Sequence, residues 1–302
     1  AGAQDGSALK PFKTVQKAIK AAKDNAVIAV AGGIYPENIR VVDKTVRIYG
    51  GYVGGTKAGY ASGTAGNFKE RNPAANPSHL KGNGKDSVVS LQESGASIVD
   101  GFLVTGGGRS LLADPTTYLG GGFYVYGGSP TISNNVIEKN QTCPPVKNEE
   151  PRGGGIYASH ASITVLNNII RNNVSGRGAG IFAEGGKMVI RGNIIQNNIG
   201  VGDHAGGVWL ASPNAEFSYN RVEGNEIGRD MGYGWGGGMI VVNKGGNYKL
   251  SHNVFTGNFA PSLGAGFFVD EGGTASMDHD LVYGNKTKPD GEGAAVYADG
   301  NE

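Results

Sequence analysis

The chain has 302 residues, of which 54 are glycine, and its 27 basic and 26 acidic side chains leave a formal charge of +1. This balance provides no overall positive field that would attract nucleic acid or a membrane surface. The single cysteine, Cys143, excludes an internal disulfide, and no apolar stretch is long enough to span a bilayer.

The first predicted element is an amphipathic helix over residues 7–23. Phe12, Val15, Ile19 and Ala22 recur at helical spacing and form one apolar face, while lysines occupy the other faces. We expect this helix to cap the repeat structure that follows, because a stack of strands exposes apolar core and unpaired backbone at its end.

Short runs of β-branched residues follow the predicted helix. They indicate two early coils, built from residues 27–30, 41 and 46–48 and from residues 88–89, 98 and 102–104. The segment between them, 50–86, is rich in Gly, Asn, Ala and Pro and is too long for a simple turn. We therefore predict a surface insertion over 50–86.

From residue 120 to residue 302 the chain repeats one unit. Each unit opens with a triplet of small residues, continues with an aliphatic and usually an aromatic residue, and closes on an asparagine-rich segment. The units begin at Gly120, Gly153, Gly178, Ala205, Gly236, Gly264 and Gly293. A period of roughly 30 residues with short strands is typical of a solenoid. The sequence predicts a single all-β domain, a parallel β-helix with three short strands per coil.

Stacking such coils turns each repeat position into a column of side chains. The fourth and sixth positions of each unit, beginning with Phe123 and Val125, are apolar and are predicted to face inward. Two polar columns are predicted to form asparagine ladders at the bends: residues 135, 168, 193, 220, 253 and 280, and residues 140, 173, 198, 225, 258 and 285.

Several of these segments resemble a known family. The opening PFKTVQKAIKAAKDNAVIAVAGGIYPENIRV and the repeats GGGIYA and NNIIRNN are similar to the right-handed parallel β-helix proteins of the pectate-lyase-like superfamily. The resemblance covers nearly all of the chain and implies a right-handed β-helix. It does not imply one function, because this architecture is shared by lyases, hydrolases, epimerases, phage spikes and adhesins.

Candidate functional residues lie where the units meet their variable linkers, which all occupy one edge of the solenoid. The short linkers between residues 174 and 204 predict a notch, walled by the loops around Pro144 and Tyr233. The residue before each unit forms what we call the pre-core column: Leu119, Arg152, Arg177, His204, Trp235, Leu263 and Glu292. Three consecutive basic members indicate a site for an acidic polymer, unless the arginines simply extend into solvent.

The fifth position of each unit forms what we call the aromatic column: Tyr124, Tyr157, Phe182, Trp209, Ile240, Phe268 and Tyr297. Strand alternation turns this column outward if its neighbours face inward. An exposed strip of this kind would stack against sugar rings, so Tyr124, Phe182, Trp209 and Trp235 are predicted to bind substrate. The alternatives are that the linkers cover the rings or that the column faces inward.

A β-elimination reaction on a uronic acid polymer needs three groups. Arg152 or Arg177 would neutralise the substrate carboxylate, His204 or His160 would be the base, and Tyr157 would be the acid. A glycosidase would instead need a pair of carboxylates, for which Glu184 and Asp203 are the candidates. We also assign these two residues to substrate binding. A lyase is favoured over a glycosidase.

No cofactor is predicted, and Ca²⁺ is the alternative left open, without a convincing site in the sequence. Pectate lyases of the superfamily commonly use clustered aspartates to bind Ca²⁺, and the aromatic face carries no matching cluster. Asp278 and Asp280 flank a histidine, but Asp280 occupies an asparagine-ladder position, which indicates a turn rather than a metal site.

Two classes of function remain. The first is a secreted lyase, or a related protein, that binds an acidic polysaccharide. The second is a non-catalytic adhesin or scaffold segment that binds glycan or protein within a larger surface assembly. The glycine-rich, weakly charged composition favours an extracellular or cell-surface location for either class. Because the unit at Gly293 stops incomplete at Glu302, we expect the native protein to continue.

Overall fold

The computed structural model describes residues 4–109, 118–142, 151–212, 215–228, 231–242, 247–270 and 274–299. Cys143, Pro144 and most of the two longest linkers lie outside these ranges. The loop predicted to wall one side of the notch therefore lies outside the described residues.

The N-terminal helix, α1, spans Val15–Ala21 and is shorter than the predicted 7–23. Pro11 disfavours a helical conformation at the residue before it, and the Thr14 side chain caps the helix by accepting a hydrogen bond from the Lys17 backbone N–H. Val15 and Ile19 are buried in the main core, as the apolar face predicts. The helix therefore covers the first coil with fewer turns than expected.

Three parallel sheets form the wall of the solenoid. Sheet 1 contains Ala26–Ala31, Val46–Gly54, Ile98–Asp100, Thr131–Ser133, Thr164–Leu166, Val189–Arg191, Glu216–Ser218, Asn247–Ser251 and Thr274–Asp278, with Asn67–Arg71 antiparallel to the second of these. Sheet 2 contains Gly33–Tyr35, Ser78–Lys81, Phe102–Thr105, Val136–Glu138, Ile169–Arg171, Ile194–Gln196, Arg221–Glu223, Val254–Thr256 and Leu281–Tyr283. Sheet 3 contains Ile39–Val42, Val89–Gln92, Phe123–Tyr126, Ile156–Ser159, Ile181–Glu184, Val208–Ala211, Met239–Val242, Phe267–Asp270 and Val296–Ala298.

One strand from each sheet makes one coil, so the predicted parallel β-helix is confirmed. A short additional sheet of Val174–Ser175, Ile199–Gly200 and Glu226–Ile227 joins three consecutive coils on the linker side. In sheet 3, Phe123 pairs with Ile156 and Val125 pairs with Ala158, and all four side chains are fully buried. The two columns predicted to face inward do so in these coils.

The segment 50–86 is only partly an insertion. Ser78–Lys81 is a strand of sheet 2, with Leu80 buried in the core, and Val46–Gly54 extends into the segment from its N-terminal side. Between them lie the short helix α2, Lys57–Ala61, and the antiparallel strand Asn67–Arg71. A strand with one inward apolar residue leaves little signal in a sequence rich in turn formers, which explains why it escaped prediction.

The two asparagine ladders form as predicted. Each side-chain amide donates to the side-chain oxygen of the next coil over 2.8 to 3.2 Å. Each amide also bonds a backbone carbonyl of the preceding coil, as Asn198 does with Ile170 O at 3.0 Å. Asp280 ends the first ladder as an acceptor, and its second oxygen is buried with no hydrogen-bond partner among the described residues.

Candidate functional site

The aromatic column lies on the outer side of sheet 3 but is not exposed. Tyr124, Tyr157 and Phe182 have relative exposures of 6%, 5% and 1%. They form a cluster separate from the main core, with Trp209 packed against it. The outward direction agrees with strand alternation, whereas the prediction of an exposed aromatic strip is wrong.

Stacking between coils occupies the faces of these rings. The ring centroids are 5.7 Å apart for Tyr124 and Tyr157, 5.5 Å for Tyr157 and Phe182, and 4.1 Å for Phe182 and Trp209. The interplanar angles are 8°, 13° and 2°, so the rings are nearly parallel. A sugar stacks on an aromatic face, and these faces already contact one another. From Tyr124 to Phe182 the column therefore stabilises the solenoid, and its ring faces are occupied by neighbouring rings.

The pre-core column packs over the aromatic column. Leu119 contacts the first aromatic cluster, and Trp235 and Leu263 contact a second cluster around Ile240. The Arg152 guanidinium lies over the Phe182 ring, 5.0 Å from its centroid. Parallel backbone bridges between successive coils hold members of the pre-core column in register. Of the alternatives to an exposed strip, the structure therefore shows the one in which the linkers cover the rings.

Arg177, Asp203 and His204 form a polar cluster in the short linkers. Asp203 Oδ1 accepts hydrogen bonds from Arg177 Nε at 3.1 Å and from His204 Nδ1 at 2.5 Å. The His204 ring lies against Trp235 in an edge-on arrangement, with centroids 4.5 Å apart. The structure thus brings four of the predicted site residues together. Within this cluster, Arg177 and His204 share the carboxylate of Asp203.

The environment of Asp203 favours its ionised form. Partial burial raises the pKa of the carboxyl, but the hydrogen bonds and positive charges of His204 and Arg177 outweigh it and bring the pKa well below the ordinary value of 3.8. A group with a depressed pKa stabilises the fold above its unfolded pKa, and that contribution is lost as the pH falls through the folded pKa. The cluster is therefore a source of acid-sensitive stability.

Asp203→Asn should lower the free energy of unfolding by about 1 kcal/mol at neutral pH, because the ion pair with Arg177 is lost. The difference from wild type should shrink as the pH falls from 3.8 toward the lower pKa of the folded protein, because the carboxyl group is protonated first in the unfolded chain. Urea denaturation at several pH values measures this, with exposed Asp290→Asn as control. A difference that is independent of pH would contradict the electrostatic interpretation.

Two other candidates, His160 and Glu184, lie at the opposite end of the sheet 3 strands. His160 follows the strand Ile156–Ser159, is exposed and bonds Ser159 Oγ through Nδ1 at 2.7 Å. Tyr157 donates to Glu184 Oε1 at 3.2 Å. Burial, followed by the charge of Glu184, raises the pKa of Tyr157 well above its usual value, which opposes release of its proton.

The candidate residues are thus divided between the beginnings and the ends of the sheet 3 strands. Glu184 ends its strand, whereas Asp203 precedes the start of the next strand of that sheet, so the two carboxylates do not form a glycosidase pair. Tyr157 donates its hydroxyl proton to Glu184, whereas Arg177 and His204 both bond Asp203. The catalytic roles assigned to these residues stay predictions.

Neither a metal-binding cluster nor a membrane-spanning helix is present in the ranges that the structure describes. No group of three or more His, Cys, Asp or Glu side chains there is arranged to hold a metal ion. No helix in the same part of the chain is both long enough and apolar enough to cross a membrane.

One feature that sequence reasoning missed is an open groove of about 470 Å³ between α1 and the first strand of sheet 3. It is lined by Gln16, Ile19, Lys20, Asn38, Arg40, Val42 and Lys44. The sequence signal was the row of lysines on the faces of the helix that do not carry its apolar residues. The groove depends on how the helix docks, which local spacing does not specify.

Stacked coils, asparagine ladders and a capping helix define a parallel β-helix protein. The family model for the right-handed β-helix region matches residues 70–302, and the chain belongs to that family. No curated protein and no solved structure matches the chain.

Proposed function

We propose that this chain is a non-catalytic β-helix segment of an extracellular or cell-surface protein, which serves as a rigid scaffold and binds its partners at its surface. The observation that carries the proposal is the closure of the aromatic column. Its rings stack on one another and are covered by the pre-core column. The face best suited to a substrate groove is therefore occupied by the protein itself.

The basic residues give the same indication. Arg177 is paired with Asp203, so its charge is already compensated, and Arg152 lies over Phe182. A lyase must direct a cation at the carboxylate of its substrate, and a cation that is already paired gives less stabilisation to that group. These contacts support a structural role for both arginines.

One observation favours the lyase as a second candidate. Asp203 bonds Nδ1 of His204, which leaves Nε2 as the basic nitrogen of the neutral ring. A carboxylate that orients a histidine in this way is a common arrangement for a general base. Edge-on contact with Trp235 further restrains the ring.

An elimination assay separates the two candidates. The intact protein is incubated with polygalacturonate, alginate and a glycosaminoglycan, with and without Ca²⁺, and the unsaturated product is followed by its ultraviolet absorbance. We expect no product from any of these polymers. Product that is formed by the wild type and lost in a folded His204→Gln variant would overturn the proposal and support the lyase.

A further inference from the structure

The N-terminal end of the solenoid carries a concentration of positive charge that the whole chain lacks. Residues 10–23 contain five lysines and no acidic residue, in a chain whose formal charge is only +1. All the acidic residues lie elsewhere and outnumber the remaining Lys and Arg. Such local asymmetry creates a positive field at one end of an otherwise balanced molecule.

These lysines are available to a ligand. Lys13, Lys17, Lys20 and Lys23 are exposed, and none forms an ion pair with the described residues. Their backbone is held in place, because the Glu37 carboxylate accepts from the N–H groups of Val15 and Gln16 at 2.8 and 2.9 Å, a contact that anchors the start of α1. Lys17 and Lys20 are therefore presented by a fixed helix, and Lys13 and Lys23 flank it.

The groove of about 470 Å³ lies beside this helix and continues the positive surface. Its lining has three cations, Lys20, Arg40 and Lys44. The carboxylates that oppose them are those of Asp86, which is paired with Arg40, and of Glu37 at the start of the helix. Lys44 donates to the carbonyls of Ile19 and Ala22, which fixes its ammonium group at the end of the helix. The groove thus has more positive than negative charge and a fixed cation at one side.

The lining also contains apolar surface. Ile19 and Val42 contribute to the groove, and 42% of Val42 is exposed. The combination of C–H surface with cations suits a sugar ring that carries a carboxylate. The lining includes no aromatic residue on which a nucleic acid base could stack, and base stacking supplies much of single-strand binding.

We propose that the lysine row, which consists of Lys13, Lys17, Lys20 and Lys23, binds an acidic polysaccharide together with the neighbouring groove. Carboxylates of successive sugars contact the lysines, and one sugar residue occupies the groove. This site is distinct from the notch in the linkers that the sequence predicts. It gives the scaffold proposed above a class of ligand, and it does not depend on whether the chain has lyase activity.

The test measures the affinity of the full chain for oligogalacturonate by calorimetry at low and physiological salt. The variant Lys13→Gln, Lys17→Gln, Lys20→Gln should bind roughly tenfold more weakly, and the difference should fall as salt screens the field. The matched control removes three exposed lysines elsewhere, as Lys187→Gln, Lys249→Gln, Lys286→Gln. It should bind within about twofold of wild type, because it leaves the field at α1 intact.

Each outcome has a defined meaning. Equal loss of affinity in both triple variants would overturn the proposal, since only net charge would then matter. Tighter binding of single-stranded DNA than of oligogalacturonate of equal charge would also overturn it, as would equal binding of neutral dextran. Circular dichroism verifies that both variants are folded. The elimination assay measures product formation and calorimetry measures binding, so failure of one proposal can be distinguished from failure of the other.

Discussion

Gly155→Ala should lower the free energy of unfolding by about 3 kcal/mol, because the coils approach too closely at this position for any side chain. A Cβ atom built on Gly155 would lie 2.5 Å from the carbonyl oxygen of Gly180 and 2.9 Å from Ile170 Cγ2. The same close contact with the following coil recurs at the third position of the other triplets: Gly122, Gly180, Gly207, Gly238 and Gly266. Urea denaturation followed by circular dichroism measures the loss.

The control is Gly59→Ala, at a partly exposed position in the short helix α2. The nearest atom to a Cβ built on Gly59 would be Oγ1 of the Thr56 side chain at 3.1 Å, so no close backbone contact between coils is involved. We expect the free energy of unfolding to change by about 1 kcal/mol or less, since alanine is favoured over glycine in a helix. Equal losses at Gly155 and Gly59 would show that the triplet is not fixed by contact between coils.

Asn198→Leu should lower the free energy of unfolding by about 4 kcal/mol, since it removes one buried asparagine from the middle of the second ladder. Asn198 is fully buried, and its amide donates to Ile170 O and to Asn225 Oδ1. Its Oδ1 accepts from the backbone N–H and the side-chain amide of Asn173. Leucine has a similar size but leaves these buried groups without partners.

Gln196→Leu is the control for that substitution. Gln196 lies two residues earlier on the outer side of sheet 2 and is half-exposed. We expect its replacement to change the free energy of unfolding by about 0.5 kcal/mol or less, as is usual for surface positions. If Asn198→Leu were as mild as this control, the ladder would contribute little to stability.

The sequence was sufficient to predict the wall of the solenoid. Stacked coils convert a repeat position into a column, so the inward direction of Phe123 and Val125 could be read from alternation alone. The ladder at Asn198 was equally predictable, because its polar residue recurs at a bend in successive units. In both cases one local rule acts identically in each coil.

The candidate site was less predictable because it depends on irregular linkers. The alternation of side chains along a strand predicted that Tyr157 and Phe182 face outward, but it did not predict which residues cover them. Leu119, Trp235 and Leu263 in the pre-core column were the signal, since a column facing solvent would not contain three large apolar residues. The pairing of Arg177 with Asp203 depends on the conformation of neighbouring linkers, which no sequence period specifies.

Hydroxyl-radical footprinting with and without oligogalacturonate tests most directly whether binding occurs at α1 or over sheet 3. We predict that Tyr157 and Phe182 react slowly under both conditions, while Tyr219, which is 51% exposed, reacts readily. Addition of oligogalacturonate should protect the groove residue Val42 and leave Tyr219 unchanged. Rapid labelling of Tyr157 and Phe182 that is suppressed by oligogalacturonate, with no protection at Val42, would contradict the account.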